Sequence, residues 1–292
     1  MSGTGSRVRL VAAQARKTLL QRFVRNRAAV AGSVLLASLV AAALLAGVLG
    51  SGSPRTLGAE PLARPSPRHP FGTDDLGRDI WTGVLFGARV SLTVGVLAAT
   101  TSALIGTAIG SIAGYYGGGV DNVLMRGTEF FLVIPSFLLA LILVAVSGPS
   151  IWNVILTIGL LGWPSTARLI RAEFLSLKQR EFVMAAHAVG AGTARIVFRQ
   201  ILPNAAPPAV VMTSLGVASA ILVEAGLSFL GLGDPNLFSW GLMLRNSREF
   251  LRIAWWMPTF PGLAIFLTVL SVNLVGDGLN DALNPRLTHR AG

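Results

Sequence analysis

The chain has 292 residues, 52% of them hydrophobic and only 13% charged, a balance too apolar for a soluble domain. Its net charge of +11 invites a nucleic-acid reading, but no basic face is interleaved with aromatic residues, which argues against one. With no cysteine there is neither a disulfide framework nor a thiolate metal site, and the redox compartment stays open.

Residues 1–27 carry seven basic side chains (Arg7, Arg9, Arg16, Lys17, Arg22, Arg25, Arg27) and no acid, and read as a basic tail suited to an anionic lipid surface. Ala28–Gly50 is the first of six stretches free of Asp, Glu, Lys and Arg that are long enough to cross, or nearly cross, a bilayer. The basic region is too long, and this apolar run too extended, for a cleaved signal peptide, so a retained first helix is expected.

Ser51–Pro70, rich in Pro, Ser, Gly and Arg, reads as an irregular external segment. In His69–Asp79 that follows, Gly72 and Gly77 are turn formers, and Asp79 can cap a helix starting near Ile80. Val90–Val120 is longer than one span requires, and its Tyr115-Tyr116 end belongs at an interface. Phe130–Ser147 is at the short limit, so its helix is expected to begin within Asp121–Glu129 and to contain Pro135. Gly148-Pro149-Ser150 is a tight turn into Ile151–Ala167.

Arg168–Arg199 holds six basic residues against Glu173 and Glu181. The spans Ile201–Val223 and Ile253–Gly276 then enclose Glu224–Arg252, which has three charges of each sign, as Ser51–Ile80 has four of each. Six spans that begin inside place both basic-rich segments in the cytoplasm and both balanced ones outside, in accord with the positive-inside rule. Both termini are then cytoplasmic, with a short tail at 288–292. The apolar content of Glu224–Arg252 predicts an element that meets partners outside the membrane, through Phe238, Trp240 and Leu242. Trp255 and Trp256 read instead as interfacial anchors. Glu224 falls just past its span and is a candidate for the pore edge or a partner interface, as are Pro135 and Asn273.

Between the fourth and fifth spans lies Glu181-Phe-Val-Met-Ala185-Ala186-His-Ala-Val-Gly190, then Ile201-Leu202-Pro203. Ala185 and Ala186 lack bulk, so another protein's surface can come close to the backbone. Gly190 suits the left-handed position that ends a helix, and Pro203 the first turn of the next.

Several chemistries lack their residues. No Gly-x-x-x-x-Gly-Lys-Ser/Thr string exists, and neither lysine follows a glycine, so no P-loop is present. The three histidines, His69, His187 and His289, have no metal-ligand spacing. A membrane enzyme is therefore poorly supported. An ion-gradient-driven secondary transporter is the rival of a different class, but such proteins need mid-membrane acids or broken helices. The six spans hold no acid, and Glu224 and Asp277 lie just beyond span ends.

The Glu181–Pro203 segment resembles the EAA loop of binding-protein-dependent ABC importer permeases, which docks on the ATPase subunit. "HPFGTDDLGRD" (69–79) with "FGARVSL" (86–92) resembles the C-type permease subunits of dipeptide and oligopeptide importers. "ILVEAGLSFLGLG" (221–233), Ser-Trp-Gly (239–241) and "NLVGDGLNDALNPRL" (273–287) extend that resemblance in the same order. The chain departs from the family at Thr82-Gly83, where a Ser-Arg pair is usual, and at Asp234–Phe238, which replaces a proline-rich run.

The resemblance implies an all-α polytopic membrane protein of six transmembrane helices with the type I ABC importer permease fold. A permease core at 81–287 would follow the first helix and external segment at 28–80, with the coupling loop at about 172–203. The implied role is half of a translocation pore in the bacterial inner membrane, doing no chemistry itself. Implied partners are a B-type permease as heterodimer, two cytoplasmic ATP-binding subunits that hold the ATP and magnesium, an extracytoplasmic solute-binding protein, and membrane lipid. The implied cargo is a dipeptide or oligopeptide, with nickel or glutathione as the alternative within the family.

Overall fold

The computed structural model describes residues 20–283 and is all-helical there, with one isolated β-bridge, between Thr73 and Asp79. Most of the expected basic tail and the tail at 288–292 lie outside the described residues. The helices are α1 (Arg27–Leu44), α2 (Ala46–Leu49), α3 (Ile80–Tyr116), α4 (Gly118–Val133), α5 (Ser136–Ser147), α6 (Ile151–Lys178), α7 (Glu181–Ala188), α8 (Thr193–Ile196), α9 (Leu202–Phe229), α10 (Trp240–Ser247) and α11 (Trp256–Leu283). A five-residue π-turn, Val197–Ile201, joins α8 to α9 without a break.

Four helical stretches are long and apolar enough to cross a membrane: α1, α3, the α8–α9 unit and α11. The bent α4–α5 pair makes a fifth. By length and composition the count thus stops at five rather than the expected six. The missing one is α6, whose 28 residues would reach about 42 Å. Asn153 and Trp163-Pro164-Ser165-Thr166 dilute its hydropathy. The helix keeps an exposed apolar stripe of Trp152, Leu156 and Leu160, while Trp163, Pro164 and Thr166 are buried on its other side.

Helix α3 is the spine. Its 37 residues reach about 55 Å, well beyond one hydrocarbon thickness. It runs through three buried clusters: Ile80 and Ala88 at one end, Val94 and Ala98 in the middle, and Tyr115 at the other end. Its tightest partner is α6, because glycines remove the side chains between them. A Cβ on Gly106 would lie 2.6 Å from Thr166 Cβ and 2.7 Å from the Trp163 carbonyl oxygen. On Gly114 it would lie 2.5 Å from Phe174 Cβ, and on Gly110 it would strike the Ala167 carbonyl. The fit is reciprocal higher up, where Gly159 of α6 admits Thr101 and Ser102 Oγ donates to the Gly159 carbonyl oxygen at 2.9 Å. Small residues at four-residue spacing on a membrane helix give this close backbone approach.

Two prolines shape the remainder. Ile134 is extended (ψ 128) before Pro135, and α4 and α5 meet there at 85°. Proline has no N–H to continue α4 and disfavours a helical conformation in the residue before it. Pro203, the second residue of α9, likewise cannot donate to the Arg199 carbonyl, and the π-turn lies directly before it.

At one end, residues 51–79 and 230–255 fold over the helices as a cap. Asp74 accepts from the Leu76 and Arg78 amides at 2.9 and 2.8 Å and pairs with Arg78 Nε at 2.6 Å. Asp79 caps α3 by accepting from the Thr82 amide at 2.9 Å, as expected from sequence, and its other oxygen meets His69 Nδ1 at 3.1 Å. Gly72 and Gly77 both have positive φ, +77 and +72, and a Cβ on Gly72 would meet the Trp256 ring at 2.8 Å. Trp256 is therefore buried, not an interfacial anchor. Its indole N–H donates to the Thr73 carbonyl oxygen at 3.0 Å, while Trp255 is exposed.

Gly110→Leu should destabilise the detergent-solubilised protein by about 2 kcal/mol or more through overpacking of the α3–α6 seam. Gly127→Ala, where an added Cβ meets nothing within 4 Å, should leave the midpoint unchanged in the same thermal unfolding scan.

Candidate functional site

The end opposite the cap is built around α7. Only Val183 of this eight-residue helix is fully buried, in a cluster with Tyr115, Ile170, Phe174, Ile196, Ile201 and Ala205. Glu181, Phe182, Met184, Ala185, His187 and Val189 are exposed. The acid lies in the first turn, where the helix dipole favours it. Gly190 has φ +74; its amide donates to the His187 carbonyl, and the Ala191 amide reaches back to Ala186 O at 3.0 Å. This Schellman arrangement satisfies the last carbonyls and folds Ala191 onto Ala186.

The two alanines therefore do different work. Ala185 is open to a partner, whereas Ala186 is half-buried against the cluster. The expectation that both lie on a docking face is corrected for Ala186, because a helix anchored through Val183 turns residue 186, three positions on, towards the same side. Pro203 is exposed and opens α9 where this loop rejoins the helices.

The helices that carry the loop are tied to one another by charge as well as packing. Asp121 of α4 accepts two hydrogen bonds from the Arg171 guanidinium of α6, at 2.5 and 2.6 Å. Lys178 donates to the Tyr115 carbonyl oxygen at the end of α3. Sequence reasoning missed both ties. Their signal was a charge left alone at the edge of each apolar run.

A cavity of about 610 Å³ opens among α3, α4, α5, α6 and α9, at the level of the α4–α5 bend. Pro135 lines it, with Phe131, Met212 and Pro164. Hydroxyls from Ser102, Ser136, Ser165, Thr166, Thr213 and Ser219 also face it, and no described lining residue is ionisable. Ser102 and Thr213 donate to backbone carbonyls of Gly159 and Ala209. These hydroxyls were not singled out from sequence, although they are the polar residues of otherwise apolar spans.

The other candidates fall elsewhere. Asn273 is half-buried on α11 and does not line the cavity. Glu224 is 3% exposed and lies inside the helix packing, so the expected pore-edge position is corrected too. Ser91 of α3 and Ser228 of α9 donate to its carboxyl oxygens at 3.2 and 2.7 Å. It ties two helices together.

Phe238 and Trp240, expected to meet partners, are 9% and 0% exposed, and Leu242 is half-buried. The reason is a slot on α3. Gly87 lets the Trp240 ring within 2.8 Å of where a Cβ would be, Gly83 admits Met243 and Phe238 in the same way, and the indole N–H donates to the Val84 carbonyl oxygen at 2.9 Å. Asp234 of the same segment accepts from the Asn236 amide at 2.8 Å and from Ile151 at the start of α6 at 3.3 Å. This segment is the cap's core rather than a docking face.

Residues 106–289 match the family described as the binding-protein-dependent transport system inner membrane component. Residues 16–61 match the N-terminal TM domain of oligopeptide transport permease C. The chain is 44% identical over 265 residues to the dipeptide transport system permease protein DppC of Alkalihalophilus pseudofirmus, covering 90% of this chain and 87% of that protein. It is 42% identical over 269 residues to a putative peptide permease protein of Brucella suis, covering 91% and 89%. Among solved structures, a chain of the inward-facing MetNI methionine ABC transporter superposes with a TM-score of 0.58 at 18% identity, over 69% of this chain and 96% of that one. That likeness establishes the type I importer permease fold.

Trp240→Ala should cost about 3–5 kcal/mol of stability by emptying the slot, and Trp240→Phe should cost less, since it keeps one ring in the slot while losing part of the volume and the hydrogen bond to Val84. Thermal unfolding of the two variants checks this ordering.

Proposed function

The chain belongs to the family of binding-protein-dependent transport system inner membrane components, a multi-pass transport subunit and not an enzyme, and from that premise we propose that it moves peptides across the membrane as half of an ATP-driven importer's pore. The observation that carries this reading is the exposed face of α7, anchored to the spine helices at the end opposite the cap. A second permease of the B type would complete the pore around the uncharged cavity. Two ATP-binding subunits would dock on Phe182, Met184, Ala185 and Val189, and bind the ATP and magnesium. An external solute-binding protein would deliver the cargo onto the cap. The peptide reading follows its relatives, a dipeptide transport permease and a putative peptide permease.

In this scheme, closure of the ATPases moves α7. Because Val183, Tyr115, Ile170 and Phe174 pack in one cluster, α7 carries α3 and α6 with it. The bend at Pro135 lies on the cavity wall, where such a movement would open or close the path. A wall of hydroxyls without charge gives a peptide weak hydrogen bonds and no fixed ionic trap, which suits passage more than storage.

The direct test is capture of the ATP-binding subunits by the permease pair. Ala185→Arg should cut capture by roughly 30-fold, as loss of an interface hot spot does, with the thermal midpoint unchanged. Ala186→Arg should lower capture and the midpoint together, since that residue packs inward. Undiminished capture and uptake with Ala185→Arg would refute the docking face. For topology, the chain has no cysteine of its own, so single cysteines at Ser66 and Asn236 can be labelled without background. Both should react with an impermeant reagent from outside, whereas reaction only from the cytoplasm would reverse the orientation.

A further inference from the structure

On a flank away from the Pro135 cavity, α1, α3, α9 and α11 line a second hollow of about 700 Å³. Its wall is aliphatic, with Leu36, Val40, Val96, Val217 and Val272 among its residues, and Arg89 is the only charged group among the described residues that line it. Its two hydroxyls are spent internally: Thr93 donates to the Arg89 carbonyl and Ser214 to the Val211 carbonyl. The groove therefore offers an occupant hydrocarbon contact along its length and one cationic head.

Arg89 stands where α1 ends. Its Nε donates to the Ala43 carbonyl oxygen, and one terminal nitrogen donates to Leu44 O at 2.8 Å. Both partners are neutral, and no described carboxylate lies within ion-pair distance of it. The side chain is exposed, and its guanidinium also lies 5.0 Å from the Phe86 ring centroid. Its position and its remaining N–H groups are thus fixed, and its charge meets only the carbonyl end of α1 and the Phe86 ring, with no anion. From Leu36 to Leu44 the groove follows α1 for about 12 Å, close to the depth of one hydrocarbon leaflet, with the arginine at the end nearer the cap.

We propose that this groove holds a phospholipid, its acyl chain along α1 and its phosphodiester on Arg89. A phosphate oxygen accepting from a pre-positioned guanidinium forms the stronger, charge-assisted kind of hydrogen bond. A bare aliphatic helix from a partner protein would cover the wall but leave the charge uncompensated. The proposal does not depend on what the protein transports.

Native mass spectrometry of the assembled transporter, titrated with phosphatidylglycerol and separately with diacylglycerol, tests it. Wild type should retain the phospholipid over the diacylglycerol, and Arg89→Gln should weaken phospholipid retention about tenfold, the scale of one charged hydrogen bond. Val217→Trp, which fills the groove without touching the arginine, should expel the lipid while Arg89 keeps its carbonyl bonds. Equal retention in wild type and both variants would overturn the proposal. So would a cross-link from Val40 to the second permease in the assembled complex, since that chain would then occupy the groove.

Discussion

The structure depends on one constraint, the removal of side chains between α3 and α6. At Gly106, Gly110 and Gly114 the α6 backbone occupies the space that a methyl group would need. In a membrane there is little hydrophobic force between helices, so close packing and polar ties must hold them. This seam, with its Ser102–Gly159 hydrogen bond, supplies both. It also aligns the two ends of the molecule. The same α3 that carries the capped start at Asp79 places Tyr115, in its last turn, in the cluster that anchors α7.

The distribution of polar groups follows from this arrangement. Where helices press together, polar groups are largely satisfied within the chain, as Glu224 is by Ser91 and Ser228; the buried Ser111 hydroxyl, with no partner among the described residues, is the exception. Where they part, around Pro135, hydroxyls face an open cavity instead. Charge is held to the edges, in the Asp121–Arg171 pair at one end and the Asp74–Arg78 pair at the other. A conduit that excludes charge while its ends are pinned by ion pairs can shift between packed arrangements without burying an unpaired ion.

Features set by local backbone chemistry were legible in the sequence. Gly72, Gly77, the Asp79 cap and the Gly190 turn each follow from what one residue permits its own peptide bonds to do, whereas Pro135, expected inside one continuous helix, breaks it into two that meet at 85°. Features set by which surfaces meet were not. Phe238 and Trp240 look like a docking patch until the slot at Gly83 and Gly87 is seen, and Trp240 reaches Val84 across 156 residues. The four-residue spacing of those glycines was the available signal. Ala186 was misjudged because a pair of small residues says nothing about the phase of a helix, which Val183 fixes.

The central claim is that α7 and the spine helices form one mechanical body. Paired spin labels at Ala188 on α7 and Ile112 on α3, both exposed, measure it directly in the assembled transporter. The account predicts one narrow distance distribution that is the same with and without ATP. A distribution that shifts or broadens on ATP binding would mean that α7 moves independently, and would contradict it.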